Sequence, residues 1–133
     1  MNRLGVGLIL AMTLAGAVRG QEALAVPSAQ PIHFHEVIMD QPGPEGLTAR
    51  FRFVAPLITT DGSGIDFFAS EADMQFLCET YALPRLSNIG PQVSQVVVSL
   101  SSRPTPFGQS DPNVVQFFES YRPEGEACIW EEF

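Results

Sequence analysis

Two histidines separated by a single residue, His33 and His35, have the best spacing for chemistry in this 133-residue chain. Alternate residues of a β-strand point to the same face, so two imidazoles at this spacing could share a zinc or copper ion, with Glu36 or an acidic residue of another element completing the ligand set. The chain has no other histidine, and spacing indicates no third ligand. The pattern leaves two interpretations, a metal site or two solvent-facing strand histidines.

The two cysteines, Cys78 and Cys128, are the next candidates. They are far from the Cys-x-x-Cys spacing of a redox centre, so in an oxidising compartment we expect them to form one structural disulfide. The chain-entropy model assigns such a bridge roughly 4 kcal/mol of stabilisation, an upper figure because strain reduces it. The alternative is a pair of buried free thiols.

Carboxylates are the third candidates, because the chain contains 15 Asp and Glu residues. Two of them could form the carboxylate pair of a small hydrolase. Such a pair is recognised by the distance between its carboxylates in space, which the sequence does not give. Glu71, Asp73 and Glu79 are better explained as the solvated face of a helix. The chain also lacks a Gly-x-Ser-x-Gly segment and a cofactor motif, so the sequence favours a binding or interaction module without catalysis or cofactor. A carboxylate-based hydrolase remains an alternative.

The charge balance limits the partners. The formal net charge is −8, and all seven basic residues are arginines. A surface of this sign repels nucleic acid and acidic lipid, whereas it is compatible with cations and basic proteins. We therefore expect the partner to be an unknown protein of the cell envelope or a small ligand, and we expect no nucleic acid.

The first 25 residues predict a signal peptide. Arg3 precedes an almost uncharged apolar run that ends at Val18 and is too short to span a bilayer. Small residues suit cleavage after Gly20 or after Ala25, and cleavage after Gly20 would remove two arginines and change the net charge to −10. The prediction is a periplasmic or secreted protein without stable membrane insertion, in which residues 26–133 form a single globular domain. The alternative is an uncleaved N-terminal anchor.

The elements that must position these residues follow the order β-β-α-β-β-β. Strands are expected at 32–39, 47–54, 95–100, 114–121 and 127–130, with a five-residue connection between the last two. The helix is expected from Glu71 to Ala82, with Ser70 and Asp73 as a capping box and an end before Pro84. The predicted fold class is α+β, an antiparallel sheet of about five strands with one helix packed on a face and a single disulfide.

The sequence also predicts which side chains are exposed in two strands and where the ordered chain begins. In the second strand apolar residues alternate with Arg50 and Arg52, which predicts a buried face and an arginine-bearing outer face. Trp130 is expected in the core, and an exposed aromatic side chain at Trp130 or Phe133 would indicate a docking surface at the end of an edge strand. Residues 21–30 are small and mixed, so we expect order to begin near Pro31.

Six segments carry a resemblance to a known family. They are HEVIMD (35–40), PGPEGL (42–47), RFRFV (50–54), LCETYALP (77–84), PFG (106–108) and CIWE (128–131). On these segments the chain resembles a family of short exported alphaproteobacterial proteins with no established function. The resemblance covers nearly all of the mature domain, and it implies no catalytic residue.

Some members of that family look to carry the name acetolactate synthase, so the resemblance implies that the same name could be attached to this chain. That reaction depends on thiamine diphosphate, whose pyrophosphate is held through a metal ion. The chain has neither a Gly-Asp-Gly segment to bind the pyrophosphate nor enough residues to build the binding domains. We therefore expect the name to be unsupported by the chemistry of this chain.

Overall fold

The structure is a computed structural model that describes Gly5 and residues 22–39, 46–86 and 92–132. Most of the predicted signal peptide lies outside the described residues, so its cleavage site stays a prediction. Within the described ranges, no helix is both long enough and apolar enough to cross a membrane.

The described residues form one five-stranded sheet in which the strands follow their order in the chain. The strands are β1 (His33–Met39), β2 (Leu47–Val54), β3 (Val93–Ser101), β4 (Gln116–Glu124) and β5 (Ala127–Glu131). The bounds of β2 agree with the sequence prediction because polar and apolar residues alternate along it. The predicted α+β class is confirmed.

One neighbouring pair of strands is parallel, a detail that the predicted antiparallel sheet did not include. The strands β2 and β3 run in the same direction, and the other three pairs are antiparallel. The helix lies between β2 and β3 in the chain. It carries the chain back to the end of the sheet at which β2 begins, so that β3 can run parallel to β2. The sheet therefore combines one βαβ unit with hairpin-like pairs on either side.

The helix runs without interruption through three parts. They are α1 (Phe67–Leu77), a π turn (Cys78–Ala82) and α2 (Leu83–Leu86). Asp66 is the N-cap, and its carboxylate accepts a hydrogen bond of 2.8 Å from the backbone N–H of Ala69. This bond satisfies one of the donors that a helix leaves unpaired at its start.

The predicted helix is too short at both ends. It begins one turn before Glu71 because Asp66 provides the cap, whereas Ser70 and Asp73 are buried and form no capping box. It also continues through Pro84, although proline in an α-helix clashes with the carbonyl group four residues earlier. The π turn ends two residues before this proline, and the N–H of Leu83 there bonds to the carbonyl group of Cys78, five residues earlier.

The expectation that order begins near Pro31 is wrong. Asp73 is fully buried in α1, and its carboxylate accepts hydrogen bonds from the backbone N–H of Ser28 at 2.9 Å and from the Ser28 hydroxyl at 2.5 Å. It accepts a third from Nε2 of Gln30 at 2.7 Å. A buried carboxylate needs such donors, so these bonds fasten the segment before β1 to the helix.

The core lies between the helix and one face of the sheet. Its largest fully buried apolar side chains include those of Tyr121, Phe51, Phe53, Ile32, Ile58, Met74, Leu77 and Leu100. The rings of Phe34, Phe53 and Tyr81 contact one another, with centroids 5.0 to 5.8 Å apart. These contacts join β1, β2 and the π turn by aromatic packing.

The predicted disulfide is confirmed. Cys78, the first residue of the π turn, is bonded to Cys128 of β5, and both residues are buried, with Cα atoms 6.2 Å apart. Gln75 Nε2 donates to the backbone carbonyl of Cys128 at 2.7 Å, and the backbone N–H of Cys128 donates to Glu79 at 3.0 Å. The helix therefore holds this edge strand by one covalent bond and two hydrogen bonds.

The predicted five-residue connection between the last two strands is wrong. The strand β4 extends to Glu124 and β5 begins at Ala127, so the turn consists of two residues, with Gly125 at a φ of 62°. Pro123 belongs to β4 and lies opposite Cys128, whose backbone N–H and carbonyl group both bond to the helix instead of β4. This is a pair without hydrogen bonds between the two strands, so a proline does not interrupt their pairing here.

Candidate functional site

The face of the sheet opposite the helix, here called the open face, carries the candidate site. Alternation along β2 directs Arg50 and Arg52 to this face, as predicted. The strand register places Arg52 beside Glu36 of β1 and beside Ser99 of β3. Ser99 in turn lies beside Phe118 of β4, so a row of charged, polar and aromatic side chains crosses four strands.

Residues 103–109 are here called the bridging loop. They belong to the connection between β3 and β4 and lie over the open face. Arg52 Nη2 donates to the backbone carbonyl of Thr105 at 2.7 Å, and Gln116 Nε2 donates to the Thr105 hydroxyl at 3.2 Å. Thr105 is consequently buried. Prolines on both sides of Thr105 restrict the backbone further, so the loop has a fixed position above the strands.

Phe107 of the bridging loop covers the two arginines. The Cζ atoms of Arg50 and Arg52 each lie 5.7 Å from the centroid of the Phe107 ring. The negative face of an aromatic ring attracts guanidinium groups at this separation. The contact restrains two long side chains, which reduces the conformational entropy that a ligand would otherwise have to remove from them.

A cavity of about 180 Å³ lies between the bridging loop and the strands. It is lined by Arg50, Arg52, Val97, Ser99, Pro106, Phe107, Gly108, Gln109, Gln116 and Phe118. This described lining holds two guanidinium groups and no carboxylate. An apolar cavity of roughly 150 Å³ is known to hold a benzene ring, so the volume suits a single ring or a short branched chain.

The carboxylate of Glu36 approaches Arg52 from outside the cavity. It forms an ion pair with Nη1 of Arg52, while Nη2 is bonded to the carbonyl group of Thr105. Glu36 and His35 line a separate groove on the β1 side of the bridging loop. Arg52 is therefore held from two directions, and Arg50 lies beside it on the cavity wall.

The groups in the described lining are suited to binding and orienting a ligand. A guanidinium group offers a planar set of donors that matches a carboxylate, and the rings of Phe107 and Phe118 offer apolar surface. The Ser99 hydroxyl and two amide side chains add neutral hydrogen-bonding groups. A small anion attached to an apolar body meets all three kinds of group.

The structure places both predicted metal ligands, His33 and His35, on the edge strand β1. The register of β1 against β2 shifts between Phe34 and Glu36, so His35 occupies a bulge. Glu36, the expected additional ligand, is paired with Arg52. In the described ranges, no three His, Cys, Asp or Glu residues are grouped so that they could hold a metal ion. Metal binding stays a prediction that gains no support from this geometry.

Two carboxylates, those of Glu71 and Glu119, line one depression between the helix and β5, together with Tyr121 and Trp130. The Glu119 carboxylate accepts a hydrogen bond from the indole Nε1 of Trp130. Burial raises the pKa of Tyr121 above its ordinary value of 10.0, and the negative charges of Glu119, Glu71 and Glu79 add to this effect. The Glu119 carboxylate thus holds an aromatic side chain in position, and a hydrolase stays a prediction.

The prediction that Trp130 lies in the core is wrong. Its side chain is 56% exposed, although the strand register places it beside the buried Tyr121. The strand β5 is at the edge of the sheet, and the helix is bonded to it at Cys128, two residues before Trp130. The bond from the indole to Glu119 satisfies the polar edge of the ring and leaves much of its apolar surface in solvent.

Sequence reasoning placed Arg50 and Arg52 correctly but did not connect them with the bridging loop. The hydrogen bond from Arg52 to Thr105 joins residues 53 positions apart, a distance over which no local pattern is informative. Two local patterns in the sequence belong to the site, an Arg-x-Arg alternation on a strand and a Pro-x-Pro-Phe loop. Neither pattern by itself indicates that they meet.

A protein-family model described as a family of unknown function (DUF6497) matches residues 9–133. No curated protein and no solved structure matches the chain. The match agrees with the resemblance to a family of unknown function. The alphaproteobacterial source and the name acetolactate synthase stay predictions.

Proposed function

The chain belongs to the DUF6497 family of unknown function, and we propose that it is a non-catalytic binding module that holds a small carboxylate with an apolar body beneath the bridging loop. The observation that carries this proposal is the described lining of the cavity, which has two guanidinium groups and no carboxylate. The chain as a whole has a net charge of −8 and only seven basic residues. Two of them line one cavity, where Arg52 is already paired with Glu36, and their donors give an acidic protein a local site for anions.

The ligand class follows from the size and chemistry of the cavity. A carboxylate can receive paired hydrogen bonds from a guanidinium group, and such charge-assisted bonds are among the stronger ones in proteins. The body of the ligand would pack against Phe107 and Phe118, whose side chains are 51% and 46% exposed. A volume of about 180 Å³ favours an acid the size of benzoate.

Export to the periplasm or beyond the cell is part of the same proposal. The bond between Cys78 and Cys128 supports it, because disulfides form and persist in oxidising compartments. The apolar run that follows Arg3 supports it independently. A binding module in the periplasm would meet small organic acids before they enter the cell.

Calorimetric titration of the oxidised protein with benzoate tests the proposal. Benzamide has nearly the same shape without the charge, and acetate has the charge without the ring. We expect benzoate to bind most tightly and Arg50→Gln to weaken it about tenfold or more, because a hydrogen bond to a charged group contributes roughly 1.5–3 kcal/mol. The matched control is Arg122→Gln, since Arg122 is 50% exposed, pairs with Glu124 at 2.7 Å, lies outside the bridging loop and does not line the cavity.

Three results would count against this function. Equal affinities for benzoate and benzamide would mean that the charge is not recognised. Equal affinities of the Arg50→Gln and Arg122→Gln variants would place the binding elsewhere. The third is no detectable binding, at millimolar concentration, of any monocarboxylate in a series from butyrate to phenylacetate.

A further inference from the structure

The helix leaves an apolar stripe uncovered beside β5. Phe68, Ala72 and Phe76 follow one another at intervals of four residues on α1, so their side chains lie on one face of the helix. Phe68 is 78% exposed and Phe76 is 37% exposed. Ala72, in the middle of the stripe, lines the same depression as Trp130 of β5. These four residues are here called the Trp130 surface.

Trp130 is both exposed and held in place. Its indole N–H donates to the carboxylate of Glu119, a residue that is itself buried. Tryptophan is enriched among the residues that contribute most to protein–protein binding. A ring that is already oriented loses less conformational freedom on binding, which favours contact with a partner.

The charges around the Trp130 surface are negative. Glu71 and Glu119 line the depression beside the indole, and the described lining contains no basic residue. Glu79 lies farther along the helix, where it accepts from the backbone of β5. Opposing like charges disfavour association, so an acidic partner is disfavoured, as is a second copy of the same surface. The surface is complementary to a partner with positive charges around an apolar centre.

The edge of β5 is already occupied at one position. The backbone N–H of Cys128 donates to Glu79 at 3.0 Å, and its carbonyl group accepts from Gln75 at 2.7 Å. A partner cannot add as a further strand through these groups without displacing two side chains. Recognition through side chains is therefore favoured over strand addition, and an amphipathic helix laid against the apolar stripe provides it.

We propose that the Trp130 surface docks a basic amphipathic helix of another protein. The apolar side chains of that helix pack against Phe68, Phe76 and Trp130, and its lysines or arginines lie beside the exposed Glu71. The cavity beneath the bridging loop is on the open face, whereas the Trp130 surface is on the helix side of the sheet. The docking proposal therefore does not depend on the proposed ligand.

Trp130 is the only tryptophan of the chain, so its fluorescence reports directly on this surface. The probe is a synthetic amphipathic helix of about five turns built from Leu and Lys, titrated into the oxidised protein. Reference peptides replace Lys by Glu or Leu by Ser. We expect the Leu/Lys peptide alone to bind and to move the emission to shorter wavelength. A Phe68→Ser, Phe76→Ser double variant should weaken its binding about tenfold.

The control is Leu57→Ser, because Leu57 is 49% exposed and lies outside the Trp130 surface, and we expect its binding to be unchanged. If the double variant folds poorly, Ala72→Lys supplies the same test by repulsion at an exposed helical position. Equal binding of the Ser/Lys peptide would overturn the proposal, because charge alone would then explain the affinity. Binding of the Leu/Glu peptide, an unresponsive Trp130, or self-association that the double variant abolishes would also overturn it.

Discussion

The two faces of the sheet differ in what covers them. The helix face is packed so closely that Phe51 and Phe53 are each 1% exposed, whereas Phe118 on the open face is 46% exposed. A helix of several turns and a disulfide cover the first face, and one loop covers the second. Close packing stabilises the fold, and the incomplete cover leaves room for a ligand among charged groups. The proposed ligand cavity therefore lies on the face that contributes less to the core.

Matched truncations of two phenylalanines test this contrast most severely. We expect Phe51→Ala to lower the free energy of unfolding by about 3–5 kcal/mol, because it leaves a hole in a dry core. We expect Phe118→Ala to lower it by less than about 1 kcal/mol, because much of this ring already contacts solvent. Denaturant unfolding of both variants provides the measurement. Similar losses in the two would show that the open face contributes as much to stability as the helix face.

Removal of the disulfide separates the two faces further. We expect the double variant Cys78→Ala, Cys128→Ala to lose about 2–4 kcal/mol of unfolding free energy, because the unfolded chain is released from a constraint between residues 50 apart. The cavity is built from β2, β3 and β4 with the bridging loop, so its affinity for benzoate should not change while the domain stays folded.

Two measurements on the same variant check this expectation, the denaturant midpoint and the benzoate titration. An unchanged midpoint would mean that the hydrogen bonds that Gln75 and Glu79 form with the backbone of Cys128 hold β5 sufficiently without the covalent bond. Weaker benzoate binding at a temperature where the variant is folded would mean that the two faces are coupled through the sheet.

Local patterns in the sequence predicted those parts of the fold that local physics determines. Alternation located β2, and a predicted export signal together with two cysteines led to the expected disulfide. The errors occur where distant residues decide. Ser28 and Asp73 are 45 positions apart, and their hydrogen bonds order a segment expected to be frayed. The continuation of the helix through Pro84 depends on a π turn, which has no established sequence signature.

The candidate site shows the same division. Alternation indicated that Arg50 and Arg52 point away from the core, and they do. The cavity exists because the bridging loop folds back onto these arginines, and this contact depends on the register of three strands. Trp130 was misplaced for a related reason, since its position in an alternating strand does not reveal where the helix stops covering the sheet.

The smallest expected effect is a loss of stability in alkaline solution that belongs to the helix face alone. Tyr121 is 1% exposed, and burial with nearby carboxylates raises its pKa above the ordinary value of 10.0 in the folded protein. Below pH 10 the tyrosine is protonated in both states, so stability is unaffected. Above pH 10 the unfolded chain releases this proton while the folded protein retains it, so the free energy of unfolding falls by about 1 kcal/mol between pH 10 and 11.

The variant Tyr121→Phe isolates this contribution, because every other titrating group is the same in the two proteins. Unfolding free energies measured from pH 8 to 11 should fall more steeply for the natural chain than for the variant, and their difference should develop only above pH 10. Parallel curves would mean that the hydroxyl of Tyr121 ionises as readily in the folded protein as in the unfolded chain. Water would then reach the helix face beside β5. The contrast between a closely packed helix face and the open face would hold only for the part of the sheet beneath the centre of the helix.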